Sequence, residues 1–194
     1  MSSVQLDYVT FLPGGHVYWT LPAEGLLCFE ARVAQRVHPD EWGTYEVVGR
    51  EIRVSVGSGL RYVFVKEGNQ LKLQPHSGSS SVRTYSPLAT ADGLKLHGRY
   101  RRSAMEPVIT FSKDGSFRDE GIFRNFGTIG RADGTTYQDD GSGGTGTYLI
   151  GQNTLELGYA DGRVKRFAFT VLPADLLQQP VTNFRINYET FHIE

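Results

Sequence analysis

Residues 146–169 read GTYLIGQNTLELGYADGRVKRFAF, and residues 43–66 read GTYEVVGREIRVSVGSGLRYVFVK. Laid over one another at a shift of 103 without a gap, they match Gly43-Thr44-Tyr45 to Gly146-Thr147-Tyr148, Val47 to Ile150 and Ile52 to Leu155. Val54 then meets Leu157, Gly59 meets Gly162 and Phe64 meets Phe167. A second block in the same order, VTFLPGGHV (9–17) against ITFSKDGSF (109–117), matches at a shift of 100. Two blocks in one order with nearly one spacing argue for an internal duplication.

Each copy carries the two-residue period of strands. Tyr148 and Ile150 share a face, Gly151 to Asn153 supply a turn, and Leu155, Leu157 and Tyr159 continue the alternation. Asp161-Gly162 makes the next hairpin, because glycine carries the positive φ that such turns require, and Phe167 and Phe169 alternate after it. The first copy builds the same meander from 44–48, 51–56 and 60–65. Hairpins at Leu12-Pro13-Gly14-Gly15 and Ser112-Lys113-Asp114-Gly115 precede the two meanders. Residues 182–193 place Phe184, Ile186 and Tyr188 on one face, which predicts one half-buried strand.

Between the matched blocks the copies part. Residues 23–37 (AEGLLCFEARVAQRV) set Leu26, Phe29, Val33 and Val37 at helical spacing, with Pro39 closing the run, and predict a short helix in the first copy alone. The corresponding interval, 124–145, is rich in Gly and Asp and predicts a long mobile loop. The expected fold is therefore all-β. Repeats 1–88 and 93–194 form antiparallel up-and-down meanders that share one joint barrel of about ten strands, with two small solid barrels, one per copy, as the alternative, because closure removes exposed sheet edges.

Bulk properties narrow the function. The 20 basic and 21 acidic residues leave a formal charge of -1, so no broad field draws in nucleic acid or an anionic membrane. No run approaches the ~18 apolar residues of a membrane span, and the first residues show no signal-peptide pattern, so a soluble cytoplasmic protein is expected. Cys28 is the one cysteine, which excludes thiolate metal clusters and reads as a buried reduced thiol.

The opening Leu96-x-Gly98-x-Tyr100, the Asp-Gly hairpins and the succession of meander strands resemble lipocalin-like, calycin-type barrels, with Tyr100 where true lipocalins have Trp. That resemblance implies a cup whose interior faces a small apolar or amphipathic ligand.

Motifs for chemistry are few. His16, His38, His76, His97 and His192 have no metal-type spacing, and Asp133, Asp139 and Asp140 lack the alternation of a calcium loop. Gly78-Ser79-Ser80 does not complete a nucleophile elbow, and Gly141–Gly144 precedes a strand rather than a helix. His38-Pro39-Asp40-Glu41 puts an imidazole beside two carboxylates, a combination suited to acid-base work or to a solvated turn. No catalytic residue, metal or cofactor is assigned. The expected ligand-binding residues are the aromatic Trp19, Trp42, Tyr45, Tyr148, Phe64 and Phe167, together with Arg99 and Arg101, which could clamp an anion. The reading is a non-enzymatic binding module for a small hydrophobic or amphipathic molecule, gated by 23–37. The alternatives are a protein-interaction or structural domain, as a homodimer or with another partner, and a small barrel enzyme using His38 or Glu41.

Overall fold

A computed structural model describes residues 7–75, 82–126, 128–130, 136–138 and 141–194. His76, Gly78, Ser79, Ser80, Asp133, Asp139 and Asp140 lie outside the described residues. The chain divides into two compact units, Met1–Leu21 with Glu30–Pro87, and Pro22–Phe29 with Leu88–Glu194.

The first unit is an antiparallel sheet of seven strands in sequence order. They are β1 (Thr10–Leu12), β2 (His16–Tyr18), β3 (Trp42–Val48), β4 (Glu51–Val56), β5 (Arg61–Glu67), β6 (Gln70–Leu73) and β7 (Arg83–Tyr85), with α1 (Ala31–Val37) between β2 and β3. Among the described residues this sheet does not close into a ring, and β1 and β7 stand at its two ends.

The second unit contains β8 (Gly98–Arg101), β9 (Ile109–Phe111), β10 (Ser116–Asp119), β11 (Thr128–Gly130), β12 (Thr136–Gln138), β13 (Gly144–Gly151), β14 (Thr154–Tyr159), β15 (Val164–Thr170), β16 (Asn183–Ile186) and β17 (Glu189–Ile193). A one-turn helix α2 (Pro173–Leu176) joins β15 to β16. Eight of these strands close into an antiparallel up-and-down barrel in which β17 pairs with β8, while β11 and β12 form a separate two-stranded ribbon. The all-β class, the meanders and the barrel are as the sequence pattern requires. The ring, however, has eight strands rather than about ten, and all of them come from the second copy.

The repeat is preserved in the pairing of β1–β5 and of β9, β10 and β13–β15. Tyr45 pairs with Val54 as Tyr148 pairs with Leu157, Ile52 with Phe64 as Leu155 with Phe167, and Phe11 with Val17 as Phe111 with Phe117. The Gly-Thr-Tyr motif has one explanation in both places. A side chain at Gly43 would place its Cβ 2.3 Å from Ser55 O, and one at Gly146 would sit 2.0 Å from Gly158 O. Tyr45 N–H donates to Gly15 O and Tyr148 N–H to Gly115 O, each at 2.8 Å. The tyrosine hydroxyls then pin the preceding hairpins, Tyr45 Oη donating to Leu12 O at 3.3 Å and Tyr148 Oη to Ser112 O at 3.1 Å.

Four local expectations are corrected. Only Ala31–Val37 of residues 23–37 is helical, because residues 22–29 belong to the second unit and commit their backbone there. Ala23 O accepts from Ala168 N–H at 2.6 Å, Leu26 N–H donates to Gln152 O at 3.2 Å, and Leu27 N–H donates to Thr154 Oγ1 at 3.0 Å. Gly25 supplies a positive φ of 75° in this strap, and a helix is not compatible with these long-range bonds. Cys28 lies on the strap and is exposed rather than buried, since the strap is held by its main chain.

Residues 182–193 form two strands, not one. Asn187, at φ 57°, turns the chain, leaving Tyr188 64% exposed while Phe191 returns to the core. Within 124–145, where an irregular loop was expected, the β11–β12 ribbon stands downstream of a 3₁₀ turn at Ile122–Asn125.

Candidate functional site

In an antiparallel sheet, directly paired residues share a face. In the first unit this places Phe11, Val17, Tyr45, Ile52, Val54, Tyr62, Phe64, Leu71 and Leu73 on one side, and Trp19 extends the row because its N–H continues the ladder to Glu41 O at 2.8 Å. Phe64 is fully buried at the centre, whereas Phe11, Trp19, Tyr45, Tyr62 and Tyr85 pack against it while only half-buried.

The rings form a continuous array. Trp19 stacks on Tyr62 with centroids 4.4 Å apart and lies 5.9 Å from Phe64. Phe11 meets Tyr45 edge-on at 5.1 Å, and Tyr85 meets Phe64 edge-on at 5.5 Å. Stacked and edge-on rings at these separations attract beyond their area burial, so the array is rigid while still presenting apolar surface. Burial and the neighbouring Asp7 carboxylate push the Tyr85 phenol above its ordinary pKa, against the Arg83 guanidinium, which lowers it.

The residues expected from sequence to bind a ligand therefore fall into four places. Trp19, Tyr45 and Phe64 are brought together on this aromatic face. Trp42 is not among them, because it pairs with Tyr18 and so points to the opposite face, where its ring lies 5.5 Å from His16.

Tyr148 and Phe167 are buried in the barrel of the second unit. The barrel interior is occupied by a run of rings: Tyr148 against Phe111 at 4.8 Å, Tyr100 against Phe184 at 4.8 Å, Phe184 stacked on Phe191 at 5.4 Å, and Phe123 stacked on Phe167 at 4.5 Å. Eight strands enclose a space that side chains can fill, and here aromatic ones occupy it. Desolvation raises the phenols of Tyr100 and Tyr148 to about 12.

Arg99 and Arg101, two residues apart on β8, share a face and do clamp an anion, but it is the chain's own. Arg99 Nε lies 2.6 Å from one Glu194 carboxylate oxygen and Arg101 Nη2 lies 2.9 Å from the other, and the Arg99 hydrogen bond lowers the Glu194 pKa. His38 and Glu41 occupy the turn between α1 and β3, where Glu41 N–H donates to His38 O at 3.2 Å.

One polar cluster escaped the sequence reading. Asp119, 3% exposed, accepts from Gly121 N–H at 2.7 Å and Ile122 N–H at 2.9 Å on one oxygen, and from Tyr159 Oη at 2.7 Å on the other. Lys165, also 3% exposed, sits 4.8 Å from the Tyr159 ring centroid and 5.5 Å from that of Phe123. At the two repeat shifts Asp119 is the counterpart of Trp19 and Lys165 the counterpart of Tyr62. The same alignment that exposes the repeat thus marks this substitution of an aromatic stack by two charged residues.

Among the described residues, no group of three His, Cys, Asp or Glu side chains is arranged to hold a metal ion, and no helix is long and apolar enough to cross a membrane. No protein-family model matches the chain, and no curated protein or solved structure shows significant similarity to it.

Proposed function

We propose that the chain is a non-enzymatic binding module in which the filled barrel is the scaffold and the open sheet is the receptor. Its ligand is a small apolar or amphipathic molecule lying on Phe11, Trp19, Tyr45, Tyr62 and Tyr85. The observation that carries this reading is the half-buried aromatic array on a sheet that does not close. Five rings that are well packed yet incompletely covered offer a ready apolar platform.

The lipocalin-like resemblance supports the ligand class, and an eight-stranded up-and-down ring is the lipocalin strand number. It does not support a ligand inside this barrel, where aromatic side chains occupy the interior.

Binding is tested with an anilinonaphthalene sulfonate dye and a series of saturated fatty acids. Saturable binding is expected for at least one of them, weakened at least about tenfold by Trp19→Ala or Tyr62→Ala. Absence of binding across the series, or affinity unchanged in both variants, would remove the proposal.

A further inference from the structure

We propose that Arg50 and Lys66 form a head-group site at one end of the aromatic face, and that the molecule lying on that face is a single-chain amphiphile with an anionic head, a long-chain carboxylate. The inference rests on the binding reading above and adds to it the charge of the ligand and the direction in which it lies.

The register sets Lys66 on the same side of the sheet as the rings. Tyr62, Phe64 and Lys66 alternate along β5, and Lys66 pairs with Leu71 as Phe64 pairs with Leu73. At the repeat shift of 103 the counterpart of Lys66 is Phe169 and that of Arg50 is Asn153. The main chain keeps this correspondence, since Lys66 N–H donates to Arg50 O and Phe169 N–H to Asn153 O, each at 2.8 Å. The side chains differ in kind. Phe169 is fully buried and lies 5.4 Å from Phe184 in the barrel interior, whereas Lys66 is exposed. The copy with the half-covered rings thus holds an ammonium where the filled copy holds core.

Arg50 brings a second positive charge to the same place. It is exposed, and its Nη2 donates to Lys66 O at 3.3 Å. The acidic residues next to them in sequence are engaged elsewhere. Glu51 is held by Arg53 at 2.9 Å and Glu67 by Lys72 at 2.5 Å, and both lie on the opposite face, where Glu51 pairs with Val65 and Glu67 with Gln70. Among the described residues neither Arg50 nor Lys66 has an ion-pair partner. Two adjacent cations left uncompensated attract an anion, and their donors suit the two oxygens of a carboxylate.

The apolar surface beside them directs the tail. Val47, 64% exposed, pairs with Ile52, and Ile52 pairs with Phe64. Ile52 and Leu71 are half-buried against the core of the unit. A chain running along β5 from Lys66 passes Phe64 and reaches Tyr62, on which Trp19 stacks. Four residues of strand span about 13 Å, the reach of a medium-length alkyl chain. A purely apolar ligand would leave the cations unused, and a cationic one would be repelled.

Decanoate, decanol and decyltrimethylammonium share one tail length and differ in head charge. Each is titrated as a monomer into the intact Trp42→Phe protein, with Trp19 emission and calorimetry as readouts. Saturable binding of one decanoate per chain is expected. Arg50→Gln and Lys66→Gln should each weaken decanoate by about fivefold while changing decanol by less than about twofold. Added salt should weaken decanoate and spare decanol, and Tyr62→Ala should weaken both.

Decanoate affinity unchanged in the Arg50→Gln/Lys66→Gln double variant overturns the head-group site, and so does decyltrimethylammonium binding as tightly as decanoate. In either case, decanol binding that still depends on Tyr62 would leave the small-molecule reading standing without the anionic head. If none of the three binds, both readings fall. Binding to vesicles containing anionic lipid with no response to monomeric decanoate would assign the cations to a membrane surface and also overturn the proposal.

Discussion

The barrel of the second unit and the sheet of the first share one register over their five matched strands, yet they use their aromatic residues to opposite ends. Phe167 in the barrel has rings of Phe123 and Phe126 against it and is fully buried. Its counterpart Phe64 is equally buried, but the rings around it, Phe11, Trp19 and Tyr85, are themselves only half-covered. Ring closure accounts for the difference. An eighth strand turns a curved sheet into a container whose lining residues bury one another, and an open sheet leaves its lining as surface.

The exchange of Trp19 and Tyr62 for Asp119 and Lys165 follows the same division. The closed copy can bury charged groups because it supplies their partners at the barrel rim. The open copy places a stacked aromatic pair there.

The largest effect that sharpens this comparison is Phe167→Ala, expected to cost about 3–5 kcal/mol, against about 1 kcal/mol for Trp19→Ala, since the first opens a cavity and the second trims a half-exposed ring. Urea unfolding of the two variants measures both. Equal losses would break the distinction between a filled and an open lining.

Next comes pH. Tyr100 and Tyr148 have folded pKa values raised to about 12 from 10, so the folded state favours the neutral phenol. Their contribution is fully present below pH 10 and is lost as pH rises through 12. This amounts to about 3 kcal/mol for each. Melting temperature followed from pH 9 to 12 should fall, and Tyr148→Phe should flatten part of that fall.

A smaller loss, about 2 kcal/mol, is expected for Asp119→Ala, which leaves two backbone N–H groups and the Tyr159 hydroxyl without their acceptor. Thr154→Val should cost about 1 kcal/mol by removing the acceptor of Leu27 N–H. Amide exchange at Leu27 should then quicken more than at Phe167, which reports whether the 22–29 strap is anchored where the hydrogen bonds place it.

The repeat was legible in the sequence because the residues that carry it have local jobs. Gly43 and Gly146 sit where a neighbouring strand's carbonyl excludes a side chain, and Tyr45 and Tyr148 tie down the hairpin before them. The helix over 23–37 was misread because hydrophobic spacing is silent about long-range backbone partners. Ala23, Leu26 and Leu27 bond to residues more than 120 positions away. The turn at Asn187 was missed because a residue with a positive φ can hide inside an unbroken alternation.

Of the candidate site, Trp19, Tyr45 and Phe64 could be picked from the repeat and Trp42 could not be excluded. Which face a residue takes at the end of a short strand such as β2 depends on pairing, here Tyr18 with Trp42. Closure of the second copy was beyond periodicity altogether, since it turns on one strand of four residues, β8, pairing with both β17 and β9.

The central claim is that ligand binding belongs to the open aromatic face and not to the barrel. It is tested most directly by Trp19 fluorescence in the Trp42→Phe protein, titrated with the dye and the fatty acids. A saturable change in Trp19 emission, abolished by Tyr62→Ala, is the predicted result. Saturable binding that leaves Trp19 emission unchanged would contradict the account, because the ligand would then sit away from the face on which Trp19 and Tyr62 stack.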